Sequence, residues 1–196
     1  MPLQGIIFDL DGTLVDSQLD FDAMRREMGL PERQPILEGL SLIPPGPHKD
    51  RCLEILSIHE RRGAECATLM PYVRELLAEL DRRAIPQAIL TRNSRISTEH
   101  VLARLELSFS HVATREDHPP KPDPTGLLHI CDAWQFPPQD VLFFGDYLFD
   151  LEAGRNAGIP TVLYAPAEIP DYAAEATFTI RCYREAIALI DRLIDS

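Results

Sequence analysis

Cysteine is scarce and scattered in this chain. The four residues, Cys52, Cys66, Cys131 and Cys182, form no C-x-x-C pair. That excludes a zinc site or a disulfide frame as the organising device and reads as reduced, mostly buried thiols. The six histidines contain no H-E-x-x-H or other close ligand pair. Long apolar runs are missing too, the longest being of the size of Val141–Phe144, far short of a membrane span. The N-terminus has neither a basic leader region nor a cleavage site, and a cytoplasmic location is expected. Positive charge is in short supply, with 19 Lys and Arg against 31 Asp and Glu, a net charge of −12. Such a surface makes nucleic acid a poor partner. It also repels small anions at long range, so a phosphate-bearing ligand would need a metal ion and one or two placed cations.

What is present suits a folded core: 196 residues, 45% hydrophobic and 26% charged. This predicts one domain with a modest insertion. Leu3 to Phe8 reads as a buried strand. The stretch 16–70 differs in character. It holds two helix-like pieces, near Asp20–Met28 and Lys49–Arg62, separated by the helix-breaking Pro44-Pro45-Gly46-Pro47. It reads as a small helical module inserted between residues 1–15 and 71–196. Beyond Pro71 the pattern is regular. Val73, Leu76, Leu77 and Leu80 mark an amphipathic helix. Strands are expected at Gln87–Leu90, His111–Thr114, Val141–Phe144, Thr161–Tyr164 and Thr177–Ile180. Helices are expected from Ser94 or Ser97 to about Leu105, up to Trp134, from Asp146 to Asn156, and over Tyr183–Ile194. Alternating strands and helices predict an α/β fold, a Rossmann-like doubly wound parallel sheet.

Ligands of such sheets bind beyond the carboxyl ends of the strands, and the polar clusters of this sequence fall there. Asp9 and Asp11 follow the first strand, Thr91 the second, and Asp146 the strand Val141–Phe144. Lys121, flanked by Pro120 and Pro122, lies in the loop after the weak third strand. Asp9 and Asp11, two apart on extended chain, can face the same way, and Gly12 lets backbone approach a ligand. With Asp146 and Asp150 they make a self-repelling set of acids that a hard divalent cation would offset, Mg²⁺ preferring oxygen ligands. Phosphoryl transfer needs little beyond in-line geometry and charge neutralisation. Lys121 supplies mobile positive charge, and Thr91 with the following N–H groups supplies donors at a helix start.

The segments Asp9-Leu10-Asp11-Gly12-Thr13-Leu14-Val15-Asp16-Ser17, Thr91, Lys121-Pro122 and Gly145-Asp146-Tyr147-Leu148-Phe149-Asp150 resemble, in order, the four motifs of the haloacid dehalogenase-like superfamily. Residues 16–70 match the position of the helical cap in its phosphoglycolate phosphatase-like branch. The resemblance implies Asp9 as nucleophile, forming an aspartyl-phosphate, and Asp11 as general acid/base. It implies Mg²⁺ held by the Asp9 side chain, the Asp11 backbone carbonyl and Asp146, with Asp150 a further metal-site carboxylate. Thr91 and Lys121 would hold phosphate, joined by Asn93 and by the Arg92 backbone N–H and side chain. Asp11 separates this chain from the metal-free dehalogenases, which typically lack it.

The resulting expectation is a Mg²⁺-dependent phosphatase acting on a small phosphorylated metabolite. A phosphomutase shares every core residue, and a non-catalytic binding protein of the same fold is a third reading. Several residues carry plainer readings beside the functional ones. Asp150 also suits the first turn of any helix, and Thr91 could be a cap neighbour. Lys49, the cap arginines (Arg25, Arg26, Arg33, Arg51, Arg61 and Arg62) and His118 read as surface charge or solvated groups, and Trp134 as packing. Substrate identity and oligomeric state are not encoded in any readable pattern.

Overall fold

A computed structural model describes residues 3–194. Six strands form one parallel sheet: β1 (Gly5–Phe8), β4 (Gln87–Leu90), β5 (His111–Ala113), β6 (Val141–Gly145), β7 (Thr161–Tyr164) and β8 (Phe178–Ile180). Their spatial order is β5-β4-β1-β6-β7-β8, every neighbouring pair being parallel. The chain builds outward from β1 to β5, then crosses back to lay β6 on the other side of β1. That reversal opens a crevice at the carboxyl ends of β1, β4 and β6.

Side chains alternate across the sheet with the strand period of two. Ile6, Phe8, Ile89, Leu142, Phe144 and Val162 face one layer, built from α4 (Val73–Arg82), α5 (Arg95–Arg104) and α8 (Tyr183–Ile194). Ile7, Ala88, Leu90, Val141 and Phe143 face the other, built from α6 (Thr125–Trp134) and α7 (Leu148–Ala157). Burial on both faces explains why β1 and β6 read as unbroken apolar runs. Phe8, Phe143 and Phe144 have no exposed surface, each such burial contributing roughly 1.5–3 kcal/mol. The sheet and its two helical layers match the fold class expected from the sequence.

Between residues 16 and 70 lie α1 (Phe21–Met28), α2 (Ile36–Leu42) and α3 (Pro47–Cys66). They gather around a cluster of their own that includes Met24, Met28, Ile36, Leu40, Cys52 and Leu56. α1 starts on the Asp20 side chain, which accepts the Ala23 N–H, and stops at Gly29 in the left-handed conformation. The sequence reading missed α2. It is seven residues long and carries Gly39 in its middle, a poor helix former. A Cβ there would lie 3.0 Å from the Leu30 methyls and 3.1 Å from the Gln34 Cγ, so any other residue would need those side chains to give way. The proline-rich break does separate α2 from α3, but Pro47 itself opens α3 at its first position, where no N–H is needed. α3 then runs four residues past the expected end at Arg62.

The two connections with the sheet domain are tied together. β2 (Val15–Asp16) pairs antiparallel with β3 (Thr68–Leu69), and the Met70 N–H reaches the Leu14 carbonyl at 2.9 Å. Both two-residue strands are too short to leave a pattern in sequence. The cysteines correct a further expectation: all are free, but only Cys52 and Cys131 are buried, Cys182 being half-buried and Cys66 exposed. No helix of the described residues is long and apolar enough to cross a membrane.

Candidate active site

The sheet delivers its acids at strand ends. The Asp9 N–H continues the ladder to the Phe144 carbonyl at 2.8 Å, and the chain then turns. The Leu14 and Val15 N–H groups both return to the Leu10 carbonyl, at 2.9 and 3.0 Å. Leu10 and Leu14 are buried and anchor this turn in the core, while Asp9 and Asp11 line a cavity of about 480 Å³. Gly12 has φ +78°, and a Cβ on it would stand 2.3 Å from Asp146 Oδ2. A Cβ on Gly145 would stand 2.2 Å from the Asp150 Cβ. Gly12 therefore lets the first and fourth acidic segments close on one another, and Gly145 lets Asp150 fold back against the end of its own strand.

Lys121, one of only two lysines in the chain, comes in from the loop after β5 and is 3% exposed. Its ammonium donates to Asp9 Oδ1 and, at 2.6 Å, to Asp150 Oδ1, and it lies 5.5 Å from the Phe143 ring centroid. Burial works to discharge it, but Asp150 and Asp9 outweigh burial and hold its pKa above the ordinary lysine value. The acids are less well compensated. Burial pushes Asp9 to about 7 against the pull of Lys121, with Asp150 adding to the rise. Burial, then Asp150 and Asp9, raises Asp146 well above the carboxylate range.

Asp11 is set apart from that group. Its Oδ2 accepts from the Asn93 amide, and its Oδ1 is buried without a hydrogen-bond partner. Burial raises its pKa, against the Ser17 hydroxyl and the Asn93 amide. Asn93 thus serves Asp11 through its side chain, while its backbone N–H goes to the Thr91 hydroxyl oxygen at 3.1 Å. Thr91, buried, lies just past β4, and its N–H bonds the Ala113 carbonyl. Ser94, not Ser97, caps α5 by accepting the Ser97 N–H.

The Arg92 side chain turns to other groups. It donates to the Lys121 carbonyl, pairs with both Glu38 carboxylate oxygens on α2 at 2.7 and 2.8 Å, and stacks 4.6 Å over Phe149. All eight residues singled out by the sequence, Asp9, Asp11, Thr91, Arg92, Asn93, Lys121, Asp146 and Asp150, line the one cavity. Lys49 does not line it, and His118 packs against His129 instead.

Sequence reasoning missed several groups. The Thr13 hydroxyl donates to Asp146 Oδ1 at 3.1 Å, and its carbonyl accepts from the buried Tyr183 hydroxyl at 2.8 Å. Tyr172 donates to the Asp146 carbonyl at 3.2 Å. Tyr183 lies 170 residues from Thr13, and no local pattern could have paired them. On the helical side, buried Glu60 of α3 pairs with Arg115. Arg25 also departs from its surface reading: its side chain is only 18% exposed and lines the cavity.

A metal site is tested by its donors. Asp9, Asp146 and Asp150 each offer a carboxylate oxygen, all within 4.8 Å of one another. The donors are oxygen only, and three carboxylates face one ammonium. Both features suit a hard divalent cation, which would remove the need for the acids to hold protons. The Asp11 carboxylate is outside this cluster.

Comparison with known proteins places the chain in a family. The haloacid dehalogenase-like hydrolase family profile matches residues 46–158. A haloacid dehalogenase-like hydrolase domain-containing protein of Arabidopsis thaliana is 34% identical over 173 residues, spanning 82% of this chain and 70% of that one. An N-acetylmuramic acid 6-phosphate phosphatase of Pseudomonas aeruginosa is 34% identical over 99% of this chain and 97% of its own length. A crystal structure described as a predicted phosphoglycolate phosphatase from Haemophilus somnus shares the fold, with a TM-score of 0.78 at 19% identity, covering 96% of this chain and 98% of that one. By sequence and by fold, the chain belongs to the haloacid dehalogenase-like hydrolases.

Proposed function

We propose that this hydrolase is a cytoplasmic, Mg²⁺-dependent phosphatase of a small, soluble phosphomonoester, with residues 16–70 acting as a cap over the core formed by 1–15 and 71–196. The observation that carries the reading is the separation of two kinds of carboxylate in one cavity. Asp9 stands in a cluster with Asp146, Asp150 and Lys121, whereas Asp11 faces Asn93 away from it. That is the division of labour a covalent phosphoryl transfer needs.

In this reading an Asp9 carboxylate oxygen attacks phosphorus in line with the ester oxygen. The Asp9 O–P bond forms as the P–O ester bond breaks, and Asp11 gives its proton to the departing oxygen. Burial raises its pKa, the direction a proton donor needs. Asp11, now ionised, takes a proton from water as the water attacks phosphorus, and the Asp9 O–P bond breaks to release inorganic phosphate. The Thr91 hydroxyl, the Arg92 N–H and Lys121 orient the phosphoryl oxygens, and the Asn93 amide fixes the Asp11 carboxyl. Mg²⁺, held by Asp9, Asp146, Asp150 and the Asp11 backbone carbonyl, would supply neutralisation of the phosphate charge, which a chain of net charge −12 otherwise repels.

Phosphate release from p-nitrophenyl phosphate, with Mg²⁺ and with chelator, tests the proposal. Wild type should turn over only with the metal, and Asp9→Asn should lose on the order of 10³-fold or more in kcat. Turnover by Asp9→Asn at the wild-type rate would refute the nucleophile assignment.

A further inference from the structure

The loops beyond β4 and β5 are stitched together behind the cavity. The Thr91 N–H bonds the Ala113 carbonyl at 2.9 Å, and the Arg115 N–H bonds the Asn93 carbonyl at 3.3 Å. The Arg115 side chain adds a further link. Its Nη1 donates to the Arg92 carbonyl at 3.2 Å and to Glu60 Oε1, and its Nη2 donates to Glu60 Oε2 at 3.1 Å. Its Nε stands 3.7 Å from the exposed Glu116. Glu60, on α3, is 4% exposed in its side chain and Arg115 is 20% exposed. Glu60 lines the cavity and Arg115 does not. Arg115 therefore acts on a bound substrate only through what it holds.

What it holds is Asn93, at both of its peptide units. The unit joining Arg92 to Asn93 is fixed at its carbonyl by the Arg115 guanidinium and at its N–H by the Thr91 hydroxyl, at 3.1 Å. The Asn93 carbonyl takes the Arg115 N–H. From this backbone the Asn93 amide donates to Asp11 Oδ2, while Asp11 Oδ1 has no hydrogen-bond partner. The direction of the Asp11 carboxyl thus depends on where Asn93 is held. One guanidinium serves the Glu60 carboxylate and the Arg92 carbonyl at once through its rigid fork of donors, which a lysine ammonium does not reproduce. The groups expected to meet phosphate are anchored otherwise, Thr91 through Ala113 and Lys121 through Asp9 and Asp150.

We propose that Arg115, braced by Glu60, is a positioning residue that aims the Asn93 amide, and through it the Asp11 carboxyl, at the leaving-group oxygen. Its loss weakens proton delivery to the departing oxygen and leaves the holding of phosphate nearly unchanged. The inference rests on the phosphatase reading above and adds to it a residue that lies outside the cavity.

Two esters of similar shape test it with the full chain and Mg²⁺. p-Nitrophenyl phosphate releases a phenolate that needs no proton, and p-nitrobenzyl phosphate releases an alkoxide that does. The ratio of their kcat/KM values, nitrophenyl over nitrobenzyl, rises when proton delivery fails and stays level when only phosphate binding or folding is damaged. Arg115→Met alone would leave Glu60 buried without a cation, so the pair is replaced together. In Glu60→Met/Arg115→Met the ratio should rise by about tenfold or more. Asn93→Ala should raise it as well, and in that background the paired replacement should add less than about twofold. Arg115→Lys, which keeps a cation beside Glu60 but not the fork, should raise it less, and stands in for the double variant if that does not fold. An unchanged ratio, including equal loss on both esters, reduces the pair to an attachment and overturns the proposal. Full additivity with Asn93→Ala overturns the route through Asn93. If wild type hydrolyses both esters while the ratio stays flat in the variants, only the positioning role fails. If wild type hydrolyses neither, the phosphatase reading fails with it.

Discussion

The sheet-end loops and the helices between residues 16 and 70 face the same cavity but are held in place by different means. The loops continue buried strands. Asp9, Thr91 and Asp146 each follow within a residue of a strand end, and Leu10 and Leu14 anchor the turn between the first two acids from below. Their positions follow from the parallel sheet itself, whose crossover after β5 leaves room at those ends. The helices have a separate apolar cluster. They meet the sheet domain through the short β2–β3 ribbon and polar links: Glu38 with Arg92, Glu60 with Arg115, Ser97 to the Glu60 carbonyl at 3.2 Å, and Arg104 to the Ala64 carbonyl at 3.0 Å. Asp9 and Asp146 are thus held by the sheet itself, while the helices are attached by contacts that can vary without moving those acids.

If that contrast is right, damage on the two sides should differ in size and kind. The largest effect is expected at Lys121. Lys121→Met leaves Asp9 and Asp150 buried without their cation, and removing one partner of a buried pair costs about 3–5 kcal/mol. Thermal or urea unfolding at neutral pH should show this loss, together with loss of turnover. A variant as stable as wild type would mean that the acids do not depend on Lys121.

A smaller effect is expected where the helices meet the core. Glu38 is 37% exposed in its side chain, so Glu38→Gln should cost about 1 kcal/mol or less. It should change KM rather than kcat, and the difference from wild type should shrink as salt is added. A large fall in kcat at unchanged KM would show that the Glu38–Arg92 contact reaches the chemistry, and the contrast would break.

The smallest effect belongs to a core residue away from the cavity. Asp117 is partly buried, but the Thr114 N–H and hydroxyl and Arg95 hold its pKa down at about 2. A depressed carboxylate contributes stability that is complete above its ordinary value near 3.8 and is lost as pH falls through about 2. Asp117→Asn should therefore be less stable than wild type at pH 7, by under about 1 kcal/mol. The gap should close between pH 4 and 2 in acid unfolding. A gap that persists at pH 2 would place its origin in packing instead.

The same contrast governs what could be read from the sequence. β4, β7 and α8 were placed to the residue, because apolar periodicity and Gly/Pro punctuation report burial against a sheet. The acids and Lys121 were legible because chain order alone brings strand-end loops together. α2 was not, since a short helix with a central glycine carries almost no periodic signal, and the crowding of that glycine by Leu30 and Gln34 shows only in the folded chain. Thr13, Tyr172 and Tyr183 were missed because each acts through a tertiary hydrogen bond to a distant part of the chain. Arg25 read as surface charge because sequence does not show which face of α1 turns to the cavity.

Asp9 as the phosphorylated residue is the centre of this account, and trapping tests it most directly. p-Nitrophenolate leaves without a proton, so Asp11→Asn should still transfer phosphate to the enzyme and then stall at hydrolysis. Quenching that variant during turnover with Mg²⁺, reducing the acyl phosphate with borohydride and mapping peptides by mass should find homoserine at position 9. Reduction at another carboxylate, or none in Asp11→Asn despite a burst of p-nitrophenolate, would contradict the assignment.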